Sequence, residues 1–475
     1  MPSAAADIQE THRMATKEIE FYTQKEPVSK ESIDDYDAVL FTVCDVFGRS
    51  RGKFAFGPNI QQLVKHGLET AHTTCVLGFH SETPVTLPRY NRTKDTTCQM
   101  LPDISTLRPL SWLCSNGRKV GHVLCDLYDL KGHHDISSPR AIALKQLNNL
   151  KDLGFVIMTA FEAEYILYHK GTLNPLGGDY KELTNMTRLD TDLPFLYDHM
   201  TELLASGIPV ETQMEESVPG QIEYSMQPQY GINMADAVHR LRYITKSVCD
   251  KIGFTPTFMT KPKYVGDSSG FHFNHSLWTL DGKNAFYDPT NENKCSDIIR
   301  HWIAGLIHHG PALTALMNPT VNCFERLHHM LTPNYNIWNY NDRHARLRVK
   351  NKSKNIHIEE RTPSSACNPY LCLAGLVAAG ADGIARKLEA PQPQAYRPQK
   401  TDGDTVKVGD SLPKTLEEAL QALEQDTILT RAIGEDFIQE YVALCKEFQL
   451  EKLKDVMDKE PVERFKAERD LYLSL

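Results

Sequence analysis

FEAEYILY, residues 161–168, closes an apolar run that starts at Phe155, and its alternation decides how the chain is read. Side chains of a strand point alternately to opposite faces, so Glu162 and Glu164 share one face while Phe161, Ala163 and Tyr165 share the other. Two neighbouring carboxylates repel each other unless a cation lies between them, although a solvated strand face would carry the same pattern. Working outward, QMEESVPGQIEYSM places Glu215 and Glu223 on two strands joined by a Pro219-Gly220 turn. Parity puts Glu216 on the opposite face, and a charged hairpin edge that resists aggregation reads equally well for this stretch alone.

VGDSSGFHFNHSLW, residues 265–278, is a Ser/Gly-rich loop opening a strand on which His272 and Asn274 share a face that Ser276 and Trp278 continue. A polar loop flanked by aromatic residues suits a nucleotide, whereas a single histidine on a strand is ordinarily structural. Further along, NCFERL, DRHARLR and IHIEERTPSSACNPYL supply Arg326, Arg343, Arg346, Arg348 and Arg361 with Glu359. Such arginines grip carboxylates and phosphates through planar, bidentate contacts, or else serve as surface charge. The carboxylates of Glu162, Glu164, Glu215, Glu223 and Glu359 with the His272 imidazole make an oxygen-rich donor set without a thiolate, suited to Mg²⁺ or Mn²⁺ rather than zinc. Two such ions beside an arginine cluster meet the needs of phosphoryl transfer from ATP.

The rest of the chain frames these motifs. Its 475 residues, 41% apolar and 24% charged, are enough for two domains. A net charge of -9 argues against nucleic acid or an anionic membrane as the main partner. The eleven cysteines show no C-x-x-C pair, as expected of reduced thiols, and the N-terminus lacks an apolar leader, so a cytoplasmic protein without membrane spans is expected. Residues 1–35 are polar and read as a flexible arm. Residues 36–130 read as a small α+β domain: strand, turn at Phe47-Gly48-Arg49, strand, a short helix over NIQQLVKHGLE, and a strand over GHVLCDLYDL. Residues 131–475 form the second domain. It opens with a helix capped at Ser138-Pro139 and stopped by Gly154, followed by a strand at 155–168, helices at 192–206 and 233–252, a strand near 257–262 and a hairpin turning at Asp281-Gly282. A helix at 297–309, a loop over QPQAYRPQKTDGDTVKVGD and a helical C-terminus complete it. Strands and helices are segregated, which predicts an α+β fold and not a doubly wound sheet. The chain holds no Gly-rich phosphate loop or dinucleotide turn.

In this order and at these separations the motifs, with Ala366-x-Asn-Pro-Tyr-Leu371, resemble class I glutamine synthetases from about residue 36 to the C-terminus. The resemblance implies a β-grasp-like first domain, a catalytic second domain, and a homo-oligomer, a dodecamer of two hexameric rings with shared active sites. It implies one metal held by Glu164, Glu215 and Glu223 and another by Glu162, His272 and Glu359. Arg326 and Arg361 would hold the substrate glutamate, Arg343 and Arg348 would face the transferring phosphate, and Ser276 and Trp278 would line the nucleotide pocket. Arg326 and Arg343 are thus the candidate catalytic residues, and Arg348 a candidate nucleotide contact.

Departures from the family pattern concentrate at the acceptor. Thr332 stands where the flap carries a glutamate that acts on ammonium, and GLETAHTTCVLG places His72 and Thr73 nearest an absent aspartate. Asp267-Ser268-Ser269 is one residue shorter than the family loop, His357 replaces an arginine and Asn274 a histidine. The resemblance therefore implies an ATP-dependent ligase that passes an acyl phosphate to an amine other than ammonia, with small-molecule amino acid and amine substrates. The alternative is a non-catalytic relative resembling lengsin.

Overall fold

The computed structural model describes residues 32–87, 97–178, 186–327, 332–352, 354–395 and 409–475. Most of the expected N-terminal arm, the first residues of the flap and most of the 392–410 loop lie outside the described residues.

The first sheet joins β1 (Ala38–Cys44), β2 (Ser50–Phe56), β3 (Leu68–Ala71), β4 (Thr97–Pro109) and β5 (Val120–Tyr128) in the order β2-β1-β5-β4-β3. Every residue of β1 is buried, because it lies between β2 and β5, while the edge strand β2 is mostly solvated. The turn joining β1 to β2 uses Gly48 at φ +83°, a conformation in which a Cβ would be strained. The short helix α1 (Ile60–His66) follows as expected. β3 and β4 are absent from the sequence reading: Pro102 and Pro109 interrupt the alternation that betrays a strand, and β4 accommodates them with a shift of register between Asp103 and Arg108.

α2 (Pro139–Asp152) follows the first sheet, with Ser138 extended at its start but making no side-chain cap bond. A second, nine-stranded sheet runs β12-β13-β14-β11-β6-β8-β7, with β9 and β10 paired to β6. These strands are β6 (Phe155–His169), β7 (Val210–Glu215), β8 (Gln221–Met226), β9 (Gln229–Tyr230), β10 (Phe254–Thr257), β11 (Phe273–Thr279), β12 (Trp338–Tyr340), β13 (Leu347–Lys350) and β14 (His357–Glu360). The strand expected at 257–262 is displaced: β10 covers Phe254–Thr257, shares only Thr257 with it, and 258–262 is not strand. The helices are α3 (Met186–Ala205), α4 (Asn233–Lys251), α5 (Asp297–His308), α6 (Gly310–Met317) and α7 (Pro369–Ala385), with further helices from Leu416 to Tyr472. α7 is buried almost throughout, and its Asn368 cap accepts from the amides of Tyr370 and Leu371. Gly380 lets α7 press on α5, since a Cβ there would come within 2.3 Å of the Trp302 ring.

Arg140 of α2 ties the first sheet to α2 and α4: its buried guanidinium reaches Asp103 on β4 (2.7 Å), Asp126 on β5 (2.9 Å) and Asp236 on α4 (2.9 Å). Asn368 adds a bond from its amide to the Asp45 carbonyl at 2.9 Å.

Candidate active site

The site is one row of side chains across neighbouring strands of the large sheet. Glu164 on β6 faces Glu223 on β8 directly, Glu359 on β14 faces Asn274 on β11 and Arg348 on β13, and His272 precedes β11. Like charges directly opposed destabilise a sheet unless something neutral or cationic intervenes.

On one side of the row, His272 Nδ1 lies 3.0 Å from Glu162 Oε2 and 3.7 Å from Glu359 Oε1. Donor atoms of Glu162, His272 and Glu359 all fall within 4.8 Å of one another, a separation one cation can span. Asn274 donates to Glu162 Oε1 at 2.9 Å. Glu359 is surrounded by cations: Arg361 Nη1 at 2.5 Å, Arg348 Nη1 at 2.9 Å and Lys350 Nζ at 3.0 Å. Burial opposes its charge, but His272, Arg361 and Lys350 outweigh it and hold the carboxyl well below the usual range.

The other side is anionic. Glu164 Oε2 accepts from Gln221 Nε2 and from the Gly270 amide, both at 2.7 Å, and burial raises its pKa. A Cβ at Gly270 would come within 2.8 Å of Arg326 Nη2 and 3.0 Å of Glu164 Oε1, so a side chain there would displace the tips of both. Burial, reinforced by the charges of Glu164, Glu162 and Glu216, pushes Glu223 up to about 8. Glu215 ends β7, where it is buried and pairs with Ile222, while its neighbour Met214 is the residue set opposite Glu223, so the expected grouping of Glu215 with Glu164 and Glu223 passes instead to Glu216. Glu216 corrects the parity reading: it lies past the strand end, takes the Ser217 amide on Oε2 at 2.7 Å, and adds its charge to Glu164 and Glu223 instead of facing away. Carboxylates that crowd in this way, without a thiolate, fit a hard divalent cation.

The arginines divide. Arg326 is buried, donating to the carbonyls of Thr362 (3.0 Å) and Arg361 (3.1 Å) and lying 3.4 Å from His272 Nε2; burial brings its pKa down to about 10. Arg343 is exposed on the turn between β12 and β13. Arg346, grouped with the others in the sequence, turns into the core and pairs with the buried Glu360 at 2.8 Å, so it does not reach the site. On β11 the Trp278 indole donates to Ser276 Oγ at 3.0 Å, and Tyr230 meets the Trp278 ring edge-on. His357, at the far end of β14, bonds the Asn355 carbonyl and is depressed by burial. Thr332 Oγ1 folds back on the Arg326 carbonyl at 2.8 Å. Sequence reasoning passed over Gln221 and Lys350, although each shares parity with a recognised site residue, Glu223 and Arg348 respectively.

A family model of the glutamine synthetase catalytic domain matches residues 136–465. Human lengsin is 31% identical over 449 residues, covering 92% of this chain and 82% of its own length. Glutamine synthetase of Thermus thermophilus is 33% identical over 361 residues, covering 73% of this chain and 80% of its own. The chain therefore belongs to the glutamine synthetase family. Among solved structures, a glutamine synthase homolog covers 93% of this chain and 100% of its own at TM-score 0.79 and 22% identity, and an ADP complex of GmaS covers 90% and 96% at 0.77 and 24%. Those likenesses establish the shared fold. Among the described residues no helix is long and apolar enough to cross a membrane.

Proposed function

We propose that this chain is an ATP-dependent carboxylate–amine ligase whose acceptor is an amine other than ammonia. The supporting observation is the row Glu223, Glu164, Glu162, His272, Glu359 and Arg348 on one face of the large sheet, an anionic half next to a cationic half. Mg²⁺ or Mn²⁺ in the anionic half would offset charge on the nucleotide phosphates. On this reading a γ-carboxylate attacks the γ-phosphorus of ATP, ADP leaves, and an amine displaces phosphate from the acyl carbon with loss of a proton. Arg361 and Arg326 orient the carboxylic substrate, Arg348 and Arg343 meet the transferring phosphate, and Ser276 and Trp278 flank the nucleotide. Thr332 has no carboxylate to take a proton from ammonium, and losing one general base typically costs about 10²–10⁴ in rate. A primary amine with a carbon body gains binding energy that ammonia lacks. The first sheet would be the β-grasp-like domain, and subunits would assemble as two stacked hexameric rings in the cytoplasm.

ADP release with glutamate and a panel of primary amines tests this. The expected outcome is kcat/KM higher for at least one amine than for ammonia, with Thr332→Glu shifting preference toward ammonia. Ammonia equalling every amine would overturn it. The likeness to lengsin over 92% of the chain supports a second reading, an assembled protein without turnover, which a complete absence of ADP release with intact oligomers would favour.

A further inference from the structure

A second group of metal-ligating side chains stands away from the row just described. His72 opens the 3-10 turn His72–Cys75 after β3, Cys98 lies on the neighbouring β4, and Asp135 lies in the connector between β5 and α2. His72 Nε2 is 2.8 Å from Asp135 Oδ2, and Cys98 Sγ is 3.9 Å from the same oxygen. One donor atom from each of the three falls within 4.8 Å of the others, and Cys98 and Asp135 are buried. We propose that His72, Cys98 and Asp135 form a structural site for a thiophilic divalent cation, Zn²⁺, separate from the Mg²⁺ or Mn²⁺ positions.

Imidazole, thiolate and carboxylate are the three zinc donors, and tetrahedral bonds of about 2.0–2.3 Å set ligand atoms roughly 3.3–3.8 Å apart. The observed 2.8 and 3.9 Å bracket that spacing, so a cation would open the His72–Asp135 contact and draw in the sulfur by a few tenths of an ångström. Cys75, three residues from His72, is fully buried but directs its thiol to the Cys44 carbonyl at 3.6 Å, so the fourth position falls to water reaching in past the partly exposed His72. The Asp135 carboxylate is already oriented, with Oδ1 taking the Ser137 amide at 2.8 Å while Ser137 Oγ bonds Glu440 at 2.6 Å. A cation here would pin the β3–β4 edge of the first sheet to the connector that enters α2, as second-partner bonds do for metal-ligating groups elsewhere.

The test uses the full chain, stripped with chelator, loaded with Zn²⁺ alone and dialysed. X-ray absorption at the zinc edge of the unmutated protein should show one sulfur neighbour at about 2.3 Å. Co²⁺ alone should give a thiolate-to-cobalt charge-transfer band that Cys98→Ser abolishes and His72→Ala weakens. The carboxylate-rich site contains no sulfur, so failure of the ligase reading would leave these signals intact. A zinc shell of oxygen and nitrogen only, no retained zinc after dialysis, or a band unchanged in Cys98→Ser would overturn the proposal.

Discussion

Glu359 and Glu223 lie on one face of one sheet, both nearly buried, and their neighbours give them opposite behaviour. Glu359 has Arg348, Lys350, Arg361 and His272 around it and is held charged by the protein itself. Glu223 has Glu164 across the β6–β8 ladder and the charges of Glu162 and Glu216 nearby, and is driven toward the protonated form. Residue type is therefore not what distinguishes the two halves of the site. The half with its own cations offers arginines and a lysine to an anion, while the half without them gains most from a bound cation.

Removing the charge should separate the halves most sharply. Glu359→Gln leaves three cationic groups converging on a neutral amide, and breaking a buried ion pair costs about 3–5 kcal/mol. Urea unfolding of the metal-free chain should show a loss of that order. Glu223→Gln removes one of several repelling carboxylates, so the metal-free chain should be as stable as the parent or more so near neutral pH, and should lose stabilisation by Mg²⁺ or Mn²⁺. Equal destabilisation by both substitutions would erase the distinction.

A smaller effect appears in pH. Glu223 is raised in the folded chain, so the unfolded chain ionises it first, and stability falls as pH climbs from the ordinary carboxylate value, about 4.3, through about 8. Glu359 has the opposite sign: its depressed pKa contributes stability above the ordinary range that is lost as pH falls through the folded value. His309 complicates the upper limb. It is buried between Asp426 (2.6 Å) and Asp382 (3.1 Å); burial lowers its pKa, but those carboxylates outweigh burial and raise it. Its contribution is present below about 6.5 and fades as pH rises through the folded value. The reading is therefore the difference between parent and Glu223→Gln melts from pH 5 to 8. A difference that does not widen with pH would break the comparison.

Strand parity in FEAEYILY and GFHFNHSLW places Glu162, Glu164 and Asn274 on one face because period two holds wherever a strand is continuous, and β6 and β11 are continuous. It failed at Glu215 and Glu216 because the ladder sets Met214, not Glu215, opposite Glu223, a register that alternation along one strand does not fix. The same parity reaches Gln221 and Lys350, which no acidic or arginine motif singles out. Arg346 was grouped with the site arginines because spacing along DRHARLR cannot tell which guanidinium meets a buried partner; Glu360, one residue from Glu359, captures it on the opposite face. The linear reading reaches His72 only as a neighbour of an absent aspartate and misses its grouping with Cys98 and Asp135, since β3, β4 and the connector bring the three together from separate segments.

The finest probe of the comparison is Asn274, which stands in the cationic half and touches both its charges. Its amide donates to Glu162 Oε1 at 2.9 Å, and its carbonyl accepts from Lys350 Nζ at 3.2 Å. Glu162 uses its other oxygen for His272, so Asn274 fixes the carboxylate plane that His272 meets and keeps Lys350 directed at Glu359. Asn274→Ala removes two charge-assisted bonds from a half-buried position where water can replace them in part, and a loss of about 1–2 kcal/mol is expected. The loss should persist across the pH range that resolves Glu223, because the His272 bond keeps Glu162 ionised there without Asn274, so the charge that Glu162 adds to Glu223 is unchanged. If Asn274→Ala instead changed the slope from pH 5 to 8 as Glu223→Gln does, the two halves would titrate as one unit and the division between them would fail.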